Sequence, residues 1–265
     1  MNTQADLTYE ELQRHLKRLR MSGLQDCLDE VIKTAQDAHL TATETLTLAL
    51  RKEVAKREIS RQQIGMSVAH FPRVCTLEGF DFNAQPTLDQ ARIRELAKLE
   101  WIEKKQNLLF LGPPGVGKTH LAIALGRKAV EAGYTVTFTT AHGLARQFET
   151  AAEHDHLEEK MKQFLKPRLL IIDEVGYLNM KAGIANYFFE LVSGRYEKSS
   201  ILLTSNCSLL EWGSIFHDAT VTTAMLDRLL HHGEFVKMTG ESYRLAQMKR
   251  SAALARAGVK EALGA

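Results

Sequence analysis

Several protein classes are excluded by what this sequence lacks. Its three cysteines, Cys27, Cys75 and Cys207, lie far apart and form no CxxC pair, so neither a disulfide scaffold nor a zinc module is expected and a reducing cytosol fits. No apolar run approaches the ~18 residues of a membrane helix. The opening stretch MNTQADLTYEELQRHLKRLR lacks the apolar core of a signal peptide, so a cytoplasmic protein with no membrane partner is expected. Excess charge is also missing: 34 Lys+Arg stand against 32 Asp+Glu, a net +2. Nucleic-acid contact would therefore have to come from local basic stripes. Proline is absent before Pro72, and there is no internal repeat or low-complexity tract. Asn206-Cys207-Ser208 has the form of a glycosylation sequon, without meaning in a cytosolic chain.

What is present suits one substantial core and a smaller appendage: 265 residues, 45% of them hydrophobic. The periodicity predicts helices over 7–21, 22–35 and 41–64. FPRVCTLEGFDFNAQP (71–86) breaks the pattern with proline, glycine and clustered aromatics and reads as a linker, followed by a helix over 87–106. From 107 onward, apolar runs at 108–111, 135–139, 169–172, 201–204 and 234–238 are expected as strands, with helix-like segments between the first four. That alternation predicts an α/β fold with a parallel sheet covered on both faces.

LLFLGPPGVGKTHLA (108–122) fills the phosphate-loop pattern GxxxxGK[ST] at every position, with a strand before it and a helix after. The nucleotide contacts are expected from Gly112, Pro113, Pro114, Gly115, Val116, Gly117, Lys118, Thr119 and His120. Glycines let several N–H groups face one anion, and the helix start adds its positive end. Lys118 would reach the β- and γ-phosphates, and Thr119 would offer a hydroxyl to Mg²⁺. LLIIDE ends an apolar strand in Asp173, expected to hold the Mg²⁺ shell, and Glu174, expected to polarise the attacking water. ATP and Mg²⁺ are thus the expected substrate and cofactor, and hydrolysis the expected chemistry. In SSILLTSN, Asn206 or Thr204 would contact the γ-phosphate or the water, unless these residues only open a loop or cap the helix SLLEWGSIF. Arg228, in AMLDRLLHHGEFVKM, is of the type that stabilises charge on a transferred phosphoryl group, although a lone helical arginine is more often a surface residue.

These blocks, with DEVGYL, RYEKSS, TSN…EW, LDRLLHH and GESYR, resemble in order and spacing the AAA+ ATPases. Within them they resemble the IstB/DnaC-like group, closest to IstB, the transposase helper of bacterial insertion sequences. The resemblance covers about residues 7 to 246 and implies a five-stranded sheet of order 5-1-4-3-2, Asn206 as sensor 1, and Arg228 as an arginine finger on a neighbouring subunit's nucleotide. It also implies a homo-oligomer. The domains expected are an N-terminal helical DNA- or partner-binding domain (1–68), a linker with helix (69–106), the ATPase (107–246) and a basic helical tail (247–265). The residues beyond 238 are too few for a full helical lid, so Arg244 either replaces sensor 2 or only caps the fold.

Basic stretches at 14–20, 51–61 and 92–105 are candidates for neutralising DNA phosphates, as are Arg146, Lys160, Lys162 and Lys166; each is interleaved with or bordered by acidic residues. The histidines of HDH (154–156) are expected in solvent, with no metal beyond Mg²⁺. The leading expectation is a DNA-stimulated AAA+ ATPase that oligomerises on duplex target DNA and recruits an IstA-type transposase, with hydrolysis driving disassembly. The alternatives are a DnaC-like helicase loader and a small-molecule kinase; the latter would need an acceptor pocket and a lid that the sequence does not display.

Overall fold

The computed structural model describes residues 4–176, 183–243, 245 and 248. Arg244 and, Met248 apart, the expected basic tail lie outside them. The chain divides into two compact units, Met1–Ile64 and Gly65–Ala265.

The first unit holds α1 (Gln4–Arg18), α2 (Ser22–Asp26), α3 (Leu28–Asp37) and the start of α4 (Ala42–Val68). The single helix expected over 22–35 is instead two, broken at Cys27 (φ −123°, ψ 19°). The break lets Leu24, Leu28 and Val31 all join Leu16 and Ala49 in one small core. α4 opens on a capping box: Thr41 N donates to Glu44 Oε2 (2.8 Å), and Glu44 N donates to Thr41 Oγ1 (3.3 Å). Glu53 is buried and accepts from Leu24 N (3.0 Å) and Arg57 Nε (2.6 Å). Burial disfavours its charge, but Arg57 and the Leu24 and Gly23 amides outweigh that and hold its carboxyl below the usual range.

The second unit begins with a correction. Residues 69–106 belong to it as wall and core, not as a spacer. Ala69, Cys75, Phe80 and Leu88 are buried in the main core, and Ala69 O accepts from Phe138 N (2.8 Å). The helix expected over 87–106 is α5 (Gln90–Leu96) and α6 (Glu100–Glu103). Leu99 separates them in the left-handed region (φ 66°), which turns Leu99, Trp101 and Ile102 all inward.

There follow β1 (Asn107–Leu111), α7 (Lys118–Glu131), β2 (Val136–Thr140), α8 (Ala141–Glu153), α9 (Leu157–Leu165), β3 (Leu169–Val175), α10 (Ile184–Arg195), β4 (Ser200–Ser205), α11 (Trp212–Phe216), α12 (Ala219–His231) and β5 (Gly233–Lys237). The five strands lie in the order β2-β3-β4-β1-β5, every pair parallel. Read from the other edge this is the expected 5-1-4-3-2. Period-two alternation sorts the strand residues onto two cores. Leu108, Phe110, Leu169, Ile171 and Leu202 face α7 and the 69–102 segment. Leu109, Leu170, Ile172, Ile201 and Leu203 face the side built from α8 to α12. Burial on both faces is why these strands read as unbroken apolar runs.

Arg195 closes the far end of α10. It is 1% exposed and donates to the carbonyls of Phe164 (2.6 Å), Pro167 (2.9 Å) and Ser200 (2.7 Å). These include carbonyls at the end of α9, which a helix terminus leaves unpaired. Burial pushes its guanidinium down to about 9, which still leaves it charged at neutral pH.

Candidate functional site

The carboxyl ends of β1, β3 and β4 open on one cavity of about 310 Å³, lined by residues 114–120, Glu174, Thr204 and Asn206. Open parallel sheets bind ligands at this edge. Glycine is required at two loop positions. A Cβ on Gly112 would lie 2.0 Å from the Met238 carbonyl oxygen; one on Gly117 (φ 100°) would lie 2.5 Å from the Phe80 ring. Gly117 then caps α7, whose first residue is Lys118.

Lys118 is 8% exposed, and its Nζ donates to the carbonyls of Gly112 (2.6 Å) and Pro113 (2.8 Å), so the ammonium is held under the loop. His120 Nε2 lies 2.8 Å from Thr76 O. A carbonyl only accepts, so this nitrogen carries the proton, and the bond fastens α7 to the 71–86 segment. The ring also meets Phe80 edge-on at 5.4 Å.

Thr119 and Asp173, the two expected Mg²⁺ ligands, are brought together: Thr119 Oγ1 donates to Asp173 Oδ1 at 2.9 Å. A buried carboxylate beside a hydroxyl is a hard-oxygen donor pair that suits Mg²⁺. The next residue departs from regular strand geometry. Ile172 pairs with Leu203 and Val175 with Ser205, so Asp173 and Glu174 together oppose Thr204 alone. This is a β-bulge, a device that re-aims side chains. Glu174 sits in the left-handed region (φ 61°), which costs a non-glycine residue about 1–2 kcal/mol. Its side chain is exposed and lines the cavity, while Asp173 and Val175 are buried. Such strain is characteristic of functional sites.

Thr204, one of the two residues expected to contact the phosphate or the water, lines the cavity with its hydroxyl already engaged inside the sheet. It is 1% exposed; its Oγ1 accepts from Glu174 N (2.9 Å) and donates to Asp173 Oδ1. Asn206 lines the cavity and does not cap the following helix. That end is capped by Ser208 and Glu211, with Ser208 N donating to Glu211 Oε2 (2.7 Å), and it opens with a 3₁₀ turn, Leu209–Glu211, before α11.

Arg228 is not among the residues lining this cavity. It lies in the last turn of α12, donates to Ala224 O (3.0 Å) and stacks 4.7 Å over the Phe189 ring. A shallow open hollow along α12 is lined by Arg228 together with Ala219, Thr220, Thr223, Ala224 and Asp227.

Sequence reasoning missed part of the wall. Arg73, Phe80, Asp81, Gln85 and Tyr243 also line the cavity. The aromatics clustered at Phe80 and Phe82 were the available signal. Tyr243 N donates to Gly115 O (3.0 Å), which brings residues 240–243 onto the phosphate loop. Elsewhere, Glu197, His231 and His232 place their ligand atoms within 4.8 Å of one another. They are exposed and already engaged, His232 with Glu197 (3.2 Å) and His231 with the Tyr196 hydroxyl (2.6 Å).

Over residues 14–252 the chain matches the family described as IstB-like ATP binding protein. The chain belongs to this family. It is 41% identical over 240 residues to an insertion sequence putative ATP-binding protein of Geobacillus stearothermophilus, covering 91% of this chain and 96% of that one. It is 43% identical over 244 residues to the IS21 putative ATP-binding protein of Pseudomonas aeruginosa, covering 92% of each. Among solved structures, DnaI aligns at TM-score 0.53 and 19% identity over 62% of this chain and 91% of that one. AMPPCP-bound DnaA from Aquifex aeolicus aligns at 0.52 and 23% over 69% and 56%. At such identities the likeness speaks to the fold alone, which is AAA+.

Within this IstB-like chain many of the candidate DNA-facing cations are paired: Lys52 with Glu30 (3.1 Å), Lys98 with Glu95 (2.7 Å), Lys104 with Glu100 (2.9 Å), Lys162 with Glu158 (2.6 Å), and Arg92 with Glu234. Exposed pairs of this kind are worth about 0–1 kcal/mol, so exchanging a carboxylate for a DNA phosphate costs little. No helix among the described residues is long and apolar enough to cross a membrane.

Proposed function

We propose that this protein binds and hydrolyses ATP in the cavity at the carboxyl ends of β1, β3 and β4. In this reading it uses ATP to assemble as a homo-oligomer on duplex target DNA in the cytoplasm, where it recruits and activates an IstA-type transposase. The observation that carries the reading is the convergence of Lys118, Thr119 and the strained Glu174 on one cavity, with the buried Asp173 hydrogen-bonded to Thr119 behind its wall. Membership of a family whose relatives are named as insertion-sequence ATP-binding proteins supports the biological setting.

The loop amides and the amino end of α7 cradle the phosphates, and Lys118 neutralises the β- and γ-oxygens. Thr119 and Asp173 would hold Mg²⁺, which would neutralise charge on the phosphoryl oxygens. Glu174 takes a proton from the attacking water, and Asn206 reads the γ-phosphate. Arg228, apart from its own cavity, acts on the nucleotide of an adjacent subunit and completes that site with a guanidinium. A triphosphate shared across a seam stabilises the seam, and loss of the γ-phosphate releases it. Duplex contact comes from helix-borne lysines and arginines that neutralise phosphates without reading bases.

The test is sedimentation of the protein with Mg·ATP, with and without long duplex or single-stranded DNA. Multi-subunit particles that need both ATP and duplex are expected. Particles only on single strands would favour a helicase loader, and no ATP-dependent assembly on either DNA would overturn the proposal.

A further inference from the structure

We propose that the Thr204 hydroxyl is a positioning group for hydrolysis: it sets the aim of Glu174 and the seat of Asp173 without touching the nucleotide. This rests on the ATP-hydrolysing reading of the cavity.

The bulge leaves one β4 residue to serve two residues of β3. Within the bulge the Glu174 amide donates to the Thr204 Oγ1 at 2.9 Å, a side-chain acceptor in place of a ladder carbonyl. The direction of both bonds is fixed. An N–H only donates, so the hydroxyl accepts from Glu174 and must spend its single proton elsewhere; it goes to Asp173 Oδ1. The same Oδ1 also accepts from the Thr119 hydroxyl at 2.9 Å. One oxygen of Thr204 thus joins the strained residue, the buried carboxylate and, through it, the first turn of α7. The neighbouring Ser205 hydroxyl donates to Val175 O (2.8 Å), a second side-chain bond from β4 to the bulged stretch of β3. The left-handed backbone that carries the Glu174 side chain into the cavity is therefore held by a side-chain bond from a residue that is itself only 1% exposed. A side chain that deletes the hydroxyl but keeps the shape leaves the Glu174 amide without that partner. The bulge is then free to relax toward ordinary strand geometry, and the carboxylate leaves its line on the water.

The test compares Thr204→Val and Thr204→Ser in ATP turnover with duplex DNA, in binding of a fluorescent ATP analogue, and in hydrogen exchange at the Glu174 amide. Thr204→Val is expected to lower kcat by about 10- to 100-fold, with analogue affinity within about threefold of the parent and faster exchange at Glu174. Thr204→Ser keeps the hydroxyl and is expected to restore kcat and exchange protection. If the valine variant does not fold, Thr204→Ala serves in its place, with the same expectations. Unchanged kcat on loss of the hydroxyl would overturn the inference, as would affinity falling in step with kcat or a serine variant as impaired as valine. Failure of the parent protein to bind or turn over ATP would instead sink the function proposed above. The exchange measurement tests the brace independently of turnover.

Discussion

Replacing Lys118 with alanine is expected to weaken ATP binding by about 100-fold and to reduce turnover below detection. The ammonium is buried and clamped by the Gly112 and Pro113 carbonyls, so its charge is fixed at the wall of the cavity before any ligand arrives. Losing a preorganised charge-assisted contact to phosphate costs about 3 kcal/mol, which is about 100-fold in affinity. Titration with a fluorescent ATP analogue measures the loss. The ligand-free variant should melt close to the parent, because the loop's fold rests on Gly112, Gly117 and the β1–α7 packing. What disappears is the rise in melting temperature that ATP gives the parent. Retained affinity would mean that the phosphates sit elsewhere.

Glu174→Gln separates binding from chemistry. The amide has the carboxylate's shape but cannot take a proton, so turnover should fall by about 10²–10⁴-fold while affinity stays within a few-fold. Steady-state phosphate release and analogue binding measure the two quantities. Because the γ-phosphate then survives, ATP-dependent particles on duplex DNA should persist instead of dispersing, which sedimentation or electron microscopy would show. Near-parental turnover would remove Glu174 as the base and leave its strained backbone unexplained.

The two expectations draw on features of different legibility. The strand runs and the phosphate loop are local patterns: burial on both faces makes Leu169–Ile172 continuously apolar, and a loop that curls its amides inward needs Gly112 and Gly117. Sequence order, read with the family resemblance, therefore yields the sheet order and the core of the site. The bulge at Asp173–Glu174 is not local. It exists because Ile172 meets Leu203 while Val175 meets Ser205, a register set by two strands distant in sequence, so Thr204 reads as a phosphate contact when its hydroxyl is spent inside the sheet. The 71–86 segment misleads for another reason. Proline and glycine signal irregular backbone correctly, but Phe80 and Cys75 are buried, and irregular backbone is not the same as a spacer. The break at Leu99 is likewise tertiary, since a left-handed leucine is tolerated only where burial of Leu99, Trp101 and Ile102 offsets its strain.

The central claim, a nucleotide site completed across a seam by Arg228, is tested most directly by mixing two dead proteins. Arg228→Ala keeps an intact cavity and lacks the guanidinium; Glu174→Gln has the reverse defect. Each alone should bind ATP and fail to turn it over on duplex DNA. Mixed in equal amounts, they should recover a substantial fraction of parental turnover, because some seams then join a sound cavity to a sound arginine. A mixture that stays as inactive as its components, or an Arg228→Ala protein that turns over ATP unaided, would contradict the account.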